Sequence, residues 1–168
     1  PLFPLPGALL LPNSRLPLNI FEPRYISMVE DTIATKHRLI GMIQPVKINS
    51  KNNLSGPNKY QKVGCAGRIV SFTETDDGRY LITLEGVSRF KFKREIKDDK
   101  PYILSEIDWE LYKNDLVPFK GMNNFDRNGF LEILKKYLDS AQIASDWEVL
   151  KKAREEILVN SLSMLCPF

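Results

Sequence analysis

Few side chains in this chain have the type and spacing that catalysis needs. His37 is the only histidine, so a Ser-His-Asp or Cys-His arrangement would have to use it as the general base. It stands at the end of the first predicted helix, where a histidine side chain can contact the last carbonyl groups. We expect that structural role for His37 and predict no catalytic residues.

The cysteines indicate neither a metal site nor a reactive thiol. Cys65 lies in a predicted strand between Val63 and Ala66, where apolar surroundings raise the pKa of a thiol and favour a small buried side chain. Cys166 lies on a different predicted element, so we expect no disulfide. The sequence has no CxxC or HExxH spacing and no GxxxxGK[ST] phosphate loop. We therefore expect no metal and no cofactor.

Three pairs of adjacent carboxylates remain as candidates for acid–base chemistry. Asp76-Asp77 belongs to a predicted turn, Asp98-Asp99 to a loop before Pro101, and Glu155-Glu156 to a predicted helix face. Each of these positions is typical of solvated structure. The sequence therefore predicts binding rather than catalysis.

The first 36 residues are predicted to form short strands followed by one helix. Prolines at positions 1, 4, 6, 12 and 17 exclude a continuous helix and fit short or edge strands, because proline has no N–H for a ladder. A helix is predicted from Pro23, a residue type favoured at the first helical position, to about Lys36.

The next segments alternate as strands do. The clearest hairpin joins residues 67–73 and 79–85 through Asp76-Asp77-Gly78, and we expect a primed turn there. Further strands are predicted at 38–44, 87–96 and 102–109. In the strand at 87–96, Phe90 and Phe92 alternate with basic residues, and we expect both phenylalanines to face inward.

From about Asn124 the apolar residues recur with helical spacing, which predicts two amphipathic helices. The second begins with a capping box at Ser145 and Glu148. The domain organisation predicted from these patterns is a β subdomain over residues 1–115 and a helical subdomain over residues 116–168, with residues 111–123 as the natural linker. The missing initiator methionine and the abrupt end at residue 168 indicate a trimmed part of a longer protein.

Several spaced motifs, in the same order, resemble one family. Phe3 to Val29 read F-P-L-P-G-x-x-L-x-P followed by L-P-L-x-I-F-E-P-R-Y-x-x-M-V. Further matches are Leu39-Ile40-Gly41 with Gln44-Pro45, Val63 to Ile69, and Leu84 to Phe90. Together they resemble the LON substrate-binding family, in the form of stand-alone relatives of the Lon protease N-terminal domain without ATPase or peptidase domains.

The resemblance carries expectations about fold and function. It implies an α+β fold, namely a PUA-like pseudo-β-barrel with one embedded helix, followed by the helical subdomain. It also implies a non-catalytic module that binds unfolded or partly folded polypeptide in protein quality control, with a protease or a chaperone as a candidate partner. RNA binding, suggested by the PUA-like fold and a basic surface, is the alternative.

Composition sets limits on the partners. The 24 basic residues stand against 21 acidic ones, which gives a net charge of +3 and a pI near 8.9, too mild to imply nucleic-acid binding. No apolar run approaches the roughly 20 residues of a membrane span, and the opening lacks the basic start of a signal peptide. We therefore expect a cytoplasmic protein with no membrane partner.

Two sets of side chains are candidates for binding. The first is an aromatic and methionine-rich substrate-binding set near the helix start, for which the alternative interpretation is hydrophobic core. Its members are Phe21, Arg24, Tyr25, Met28 and Met42. The second is a basic surface, for which the alternative is protective charge on an edge strand. Its members are Lys47, Lys51, Lys59, Lys62, Arg89, Lys91 and Lys93.

Arg24 has two interpretations of its own. An arginine in the first turn of a helix opposes the helix dipole, so we expect a fixed partner to hold it. The structural interpretation is a buried clamp, in which Arg24 pairs with a carboxylate or with strand carbonyls. The functional interpretation is that Arg24 receives a carboxylate of a bound peptide.

Overall fold

The computed structural model describes residues 1–46, 59–118, 121, 125–143 and 146–165. The chain divides into two compact units, the sheet unit Pro1–Val117 and the helical unit Pro118–Phe168. In the described ranges the sheet unit has one six-stranded sheet, and both units contain helices. The predicted α+β class is therefore confirmed.

The strands of the sheet unit are β1 (Leu2–Pro4), β2 (Arg15–Ile20), β3 (Leu39–Ile43), β4 (Val63–Glu74), β5 (Tyr80–Ile96) and β6 (Leu104–Asp108). Helix α1 (Pro23–Ile33) separates β2 from β3, and a 3-10 helix (Glu110–Leu116) follows β6. The residues predicted as a linker from 111 onward therefore begin with ordered structure.

The sheet has the strand order β1-β3-β4-β5-β2, and β6 also pairs with β5. Only the β1 and β3 pair is parallel among the described strands. One bridge joins Leu2 of β1 to Ile103, immediately before β6, and the N–H of Leu2 donates to the carbonyl oxygen of Ile103 at 2.8 Å. This bridge links the two opposite edges of the sheet.

The predicted hairpin is present as β4 and β5, but its turn differs from the prediction. The N–H of Gly78 donates to the carbonyl oxygen of Thr75 at 2.9 Å. The φ of Gly78 is +75°, whereas the φ of Asp77 is not positive. A primed turn of type I′ needs two consecutive positive values. The loop is instead a type I turn followed by one left-handed glycine.

The strand predicted at 87–96 is not separate, because β5 continues through Gly86. At Gly86 the chain segment before β2 comes very close, with the N–H of Asn13 donating to the carbonyl oxygen of Gly86 at 2.9 Å. A Cβ at Gly86 would lie 2.0 Å from the carbonyl oxygen of Leu11. Phe90 and Phe92 are buried, which confirms the predicted inward orientation.

Helix α1 begins at Pro23, as predicted, and ends at Ile33, before the predicted Lys36. It buries Tyr25, Met28 and Val29 on one face. The backbone of Arg38 has a φ of +52°, which turns the chain into β3. His37 lies four residues beyond the last helical residue and is exposed, so the expected contact with the helix end is wrong.

The hydrophobic core of the sheet unit is formed by buried side chains of the strands and of α1. Its central cluster contains Leu2, Ile43, Ala66, Phe90 and Phe92. Gly64 lets the Phe90 ring approach β4, because a Cβ at Gly64 would lie 2.4 Å from that ring.

The helical unit contains α2 (Arg127–Ser140), α3 (Trp147–Lys152) and α4 (Glu155–Leu165). The second predicted helix is therefore two helices, and the Arg127 guanidinium donates to the carbonyl oxygens of Lys151 and Ala153 where they separate. Asp146 caps α3 by accepting from the N–H groups of Glu148 and Val149. The predicted cap, Ser145, lies outside the described residues.

Within the ranges that the structure describes, no helix is both long and apolar enough to cross a membrane.

Candidate functional site

The predicted substrate-binding set does not form one surface. Tyr25, Met28 and Met42 are buried, and the Tyr25 ring packs 4.2 Å from the ring of Phe3 between centroids. The core interpretation therefore applies to these three side chains. Phe21, which is 64% exposed, and Arg24 remain available at the start of α1.

The buried-clamp interpretation of Arg24 is wrong. Its Nη2 lies 2.8 Å from Oε2 of Glu22, and both side chains are exposed. Its guanidinium also lies 4.5 Å from the centroid of the neighbouring Tyr25 ring. Such an exposed local pair contributes at most about 1 kcal/mol to stability, so Arg24 does not lock the helix to the sheet. Contact with a peptide carboxylate stays a prediction.

A cavity of about 310 Å³ lies beside the loop at residues 8–11, and we call it the loop groove. It is lined by this loop, by residues 42–44 at the end of β3, by Gln61, by residues 63–65 at the start of β4, and by Arg89 of β5. The loop groove therefore brings together Met42 and Arg89, which the sequence placed in two different sets.

Local hydrogen bonds hold the loop in place against β3. The side chain of Gln44 donates from Nε2 to the carbonyl oxygen of Ala8 at 3.2 Å, and the N–H of Leu5 donates to the carbonyl oxygen of Ile43 at 3.1 Å. Leu10 is buried, whereas Leu9 is 38% exposed. The groove thus has an anchored wall that still presents apolar surface.

Arg89 supplies a fixed positive charge to the loop groove. Its Nε and Nη2 donate to the two carboxylate oxygens of Asp115 at 2.9 and 2.7 Å, and its backbone N–H donates to Asp115 at 2.9 Å. The guanidinium also lies 4.9 Å from the centroid of the Tyr112 ring. Because both groups come from the 3-10 helix, that helix determines where the guanidinium points.

This geometry shifts the pKa values of the groups at the loop groove. The hydrogen bond from Arg89 lowers the pKa of Asp115 and raises the pKa of Arg89 itself. Burial, followed by the nearby Asp115 carboxylate, raises the pKa of the Cys65 thiol to about 12. At neutral pH the groove therefore holds an arginine cation and a neutral thiol, and the predicted burial of Cys65 is confirmed.

The predicted basic surface is interrupted by carboxylates. Lys93 lies 3.7 Å from Asp108, Arg94 lies 2.8 Å from Glu106, and Lys59 lies 4.0 Å from Glu95. Much of the positive charge on β5 is therefore paired with acids on β6. The alternative of protective charge on an edge strand is wrong, because β5 pairs with β4 and also with β2 and β6 and is therefore an interior strand of the sheet.

The remaining predicted basic residues differ in position. Lys62 and Lys91 are exposed, and Arg89 belongs to the loop groove. Lys47 and Lys51 lie outside the described residues.

Four parts of this site were not identified from the sequence: the loop at residues 8–11, Gln44, Gln61 and Asp115. The available signal was the apolar run Leu9-Leu10-Leu11 between two prolines, which is too short to form a buried strand of its own and stands beside a turn at Gly7, whose φ is +75°. In the described ranges, no group of three or more His, Cys, Asp or Glu residues is arranged to hold a metal ion.

Two curated relatives match part of the chain. A Lon protease from Desulfosudis oleivorans is 29% identical over 103 residues, which are 61% of this chain and 12% of that protein. A Lon protease 2 from Sorangium cellulosum is 27% identical over 110 residues, 64% of this chain and 13% of that protein. The chain thus spans only a small part of these relatives.

Two solved structures share the fold over nearly the whole chain. The N-terminal domain of a Mycobacterium avium complex Lon protease has a TM-score of 0.64 at 10% identity, covering 100% of this chain and 83% of that one. A Lon N-terminal domain protein from Xanthomonas campestris has a TM-score of 0.57 at 22% identity, covering 99% and 98%.

The family model of the ATP-dependent protease La (LON) substrate-binding domain matches residues 1–165. The match is to that domain and to neither the protease nor the ATPase domain. Because it covers almost all of the sequence, and because the fold is that of Lon N-terminal domains, the chain belongs to the LON substrate-binding domain family.

Proposed function

We propose that this protein is a non-catalytic module that binds unfolded or partly folded polypeptide. The observation that carries the proposal is the match of residues 1–165 to a substrate-binding domain. In this proposal the module acts in cytoplasmic protein quality control and delivers its client to a protease or a chaperone. The burial of Cys65 and the exposure of His37 in the described part of the chain are consistent with binding without chemistry.

The loop groove is the proposed contact for an apolar side chain of the client. Its volume of about 310 Å³ lies at the lower end of the usual range for ligand pockets. Leu9 offers exposed apolar surface at its wall, whereas Met42 lines the groove from β3 but belongs to the core, being only 2% exposed. Leu9 is therefore the apolar contact that we propose for a client side chain.

The polar groups of the loop groove suit a peptide backbone. Arg89 keeps N–H groups beyond those that Asp115 accepts, since a guanidinium carries five donors. Gln44 and Gln61 add amide donors and acceptors. Backbone carbonyls are common to every polypeptide, so these contacts do not depend on the sequence of the client.

Phe21 and Arg24 are proposed as a second contact at the start of α1. Both side chains are exposed, and Arg24 lies near an aromatic ring as well as a carboxylate. A client aromatic residue or carboxylate could replace water at this position without disturbing the core.

We further infer a PUA-like pseudo-β-barrel for the sheet unit. The bridge between Leu2 and Ile103 supports this architecture, because it joins β1 to the segment before β6 and thereby connects the ends of the sheet. Closure of this kind removes unpaired edges that would otherwise promote aggregation.

RNA binding is the less favoured function. The pairing of Lys93, Arg94 and Lys59 with carboxylates reduces the positive charge available to phosphates. Phe90 and Phe92 are buried, so neither ring can stack on a base.

The proposed function is tested with reduced, carboxymethylated α-lactalbumin as an unfolded client, using isothermal titration calorimetry. We expect the wild-type protein to bind it, and Leu9→Asp to weaken binding about tenfold or more, because a carboxylate then stands at the apolar wall. The control is Leu111→Asp, at a leucine that is 72% exposed on the 3-10 helix and does not line the loop groove. Equal binding by both variants would contradict the groove assignment, and absence of wild-type binding would contradict the function.

A further inference from the structure

Strand β4 has an open edge over its second half. β3 pairs with it only from Cys65 to Arg68, and one more hydrogen bond joins the N–H of Ile69 to the carbonyl oxygen of Arg38 at 3.0 Å. Because Arg38 has a φ of +52°, the chain leaves the edge there. Among the described residues, no strand pairs with residues 70–74 on this side.

The register of the hairpin shows which backbone groups face the open side. The N–H of Thr75 donates to the carbonyl oxygen of Arg79, so this pair is hydrogen-bonded, and Glu74, Thr73 and Phe72 pair with successive residues of β5. Hydrogen-bonded and non-hydrogen-bonded pairs alternate along an antiparallel ladder. Thr73 therefore bonds to β5, whereas the N–H and C=O groups of Phe72 and Glu74 point outward.

A groove of about 380 Å³ runs beside this open edge, and we call it the edge groove. Ile33 of α1 and the β4 residues Ile69, Val70 and Phe72 contribute its apolar lining. Val70 and Phe72 are 45% and 43% exposed, because β3 does not extend along this part of β4. A segment lying on the edge would cover them.

The two ends of the edge groove carry opposite charges. Arg38 lines the edge groove at one end, where its carbonyl oxygen accepts the hydrogen bond from the N–H of Ile69. At the other end, the Tyr80 hydroxyl donates to Oε1 of Glu30 at 2.9 Å, and Glu74 is the Cα partner of Tyr80. A strand running antiparallel to β4 would start beside the two carboxylates and end beside the guanidinium.

We propose that the open edge of β4 binds an extended polypeptide segment as an additional antiparallel strand. The outward N–H and C=O groups of Phe72 and Glu74 pair with the backbone of the segment, and alternate apolar side chains fill the edge groove. The charges favour a segment with a basic residue at its amino end and an acidic residue at its carboxyl end. The segment is taken to belong to a client, and to this extent the inference rests on the proposed function.

The probe is a capped heptapeptide with lysine first, glutamate last, and alternating valine and threonine between them. Amide exchange followed by NMR reads out backbone pairing directly, which a purely apolar contact would not change. In the free protein we expect the amides of Phe72 and Glu74 to exchange rapidly and that of Thr73 to exchange slowly. Saturating peptide should slow amide exchange at Phe72 and Glu74 by about tenfold or more.

A second peptide of the same composition, with glutamate first and lysine last, is the control for orientation. We expect it to bind more weakly than the first peptide. The variant Glu74→Pro removes an outward N–H and leaves the ladder to β5 intact, so it should weaken binding of the first peptide about tenfold. Glu74→Gln controls for the lost charge, and Asp76→Pro, at a turn position that favours proline, controls for proline in the hairpin.

The proposal is overturned if saturating peptide leaves exchange at Phe72 and Glu74 unchanged, or if the second peptide binds as well as the first. It is also overturned if both amides already exchange slowly in the free protein, since the edge is then filled by a second copy or by another part of the chain. Binding of α-lactalbumin without protection of these amides would leave the proposed function standing and refute the edge site. Because the peptide reports on the edge alone, failure of α-lactalbumin to bind would refute only the proposed function.

Discussion

At the scale of single residues, Arg89 connects the stability of the sheet unit to the loop groove. Its side chain lines the groove, while Asp115 accepts two hydrogen bonds from the guanidinium and one from the backbone N–H of the same residue. The Asp115 side chain is only 8% exposed, so its charge depends on this partner. The orientation of the cation in the groove is therefore set by a carboxylate that does not line it.

Asp115→Asn is expected to destabilise the protein by about 2 kcal/mol at neutral pH, because hydrogen bonds to a charged group are lost. The folded pKa of Asp115 lies below its ordinary value of 3.8, so its contribution is present above that value and is lost as the pH falls through the folded pKa. The difference between wild type and variant in urea unfolding should therefore vanish in strong acid.

Asp77→Asn is the control for this effect, because a hydrogen bond from the Thr75 hydroxyl, followed by the Arg79 charge, also lowers the pKa of Asp77, but Asp77 lies on the exposed hairpin turn. We expect Asp77→Asn to change the free energy of unfolding much less than Asp115→Asn does, because a solvent-exposed pair contributes little to stability. A difference between wild type and Asp115→Asn that persists unchanged at low pH would show that the ion pair is not its cause.

The contrast between Arg24 and Arg89 shows what sequence reasoning can reach at this scale. The partner of Arg24 is Glu22, two residues away in the chain, yet a distant buried partner was expected. The partner of Arg89 is 26 residues away, in a segment whose sequence resembles a linker. The burial of Cys65 was predictable, because a small apolar residue within a strand is a local signal.

At the scale of elements, close packing of β4 against β5 depends on Gly64. We expect Gly64→Ala to destabilise the sheet unit by about 1–3 kcal/mol, since the new Cβ would lie 2.4 Å from the Phe90 ring and 2.6 Å from the carbonyl oxygen of Met42. Thermal and urea unfolding measure the change. The backbone oxygen leaves little room for relaxation.

Gly78→Ala provides the matched comparison. Gly78 has a φ of +75° and open space around its Cβ position, so alanine there costs only the left-handed conformation, about 1–2 kcal/mol. Its effect should persist in any context, whereas the effect of Gly64→Ala should shrink when Phe90 is replaced by leucine. If Phe90→Leu leaves the cost of Gly64→Ala unchanged, the Phe90 ring is not its cause, and the steric contact that matters is the one with the Met42 carbonyl oxygen.

Elements with local signals were predictable, and those that depend on distant contacts were not. The start of α1 at Pro23 and the β4 and β5 hairpin follow from proline, glycine and alternation nearby. The passage of β5 through Gly86 depends on the approach of Leu11, and the break between α3 and α4 coincides with three carbonyls bound by Arg127. Neither contact is visible in the local pattern.

At the scale of the whole molecule, the loop groove could be predicted only in part. Met42 and Arg89 were named as candidates, but they come from different strands and share a groove because β3, β4 and β5 are neighbours in the sheet. The family resemblance fixed the fold class, whereas the groove also needs the anchored loop at residues 8–11. Sequence patterns therefore predict which side chains are buried more reliably than they predict which loops pack beside them.

The net charge is only +3, and several of the basic side chains are paired with carboxylates. The salt dependence of binding should therefore distinguish RNA from a polypeptide client. We expect any binding to RNA to be weak at about 150 mM salt and to fall steeply between about 50 and about 200 mM, because only phosphate contacts drive it. Binding of reduced, carboxymethylated α-lactalbumin should change less than about threefold over the same range, since apolar burial in the loop groove is little affected by screening.

Fluorescence anisotropy with a labelled single-stranded RNA and with labelled α-lactalbumin measures both dependences on one preparation. Lys91→Ala serves as the control, because Lys91 is exposed and does not line the loop groove, so it should weaken RNA binding and leave α-lactalbumin binding unchanged. Phe90 and Phe92, the two rings that alternate with the basic residues of β5, are buried, so we do not expect stacking on this strand to make RNA affinity depend on base sequence. Tight, sequence-selective RNA binding that persists at about 200 mM salt would make RNA binding, rather than polypeptide binding, the favoured function.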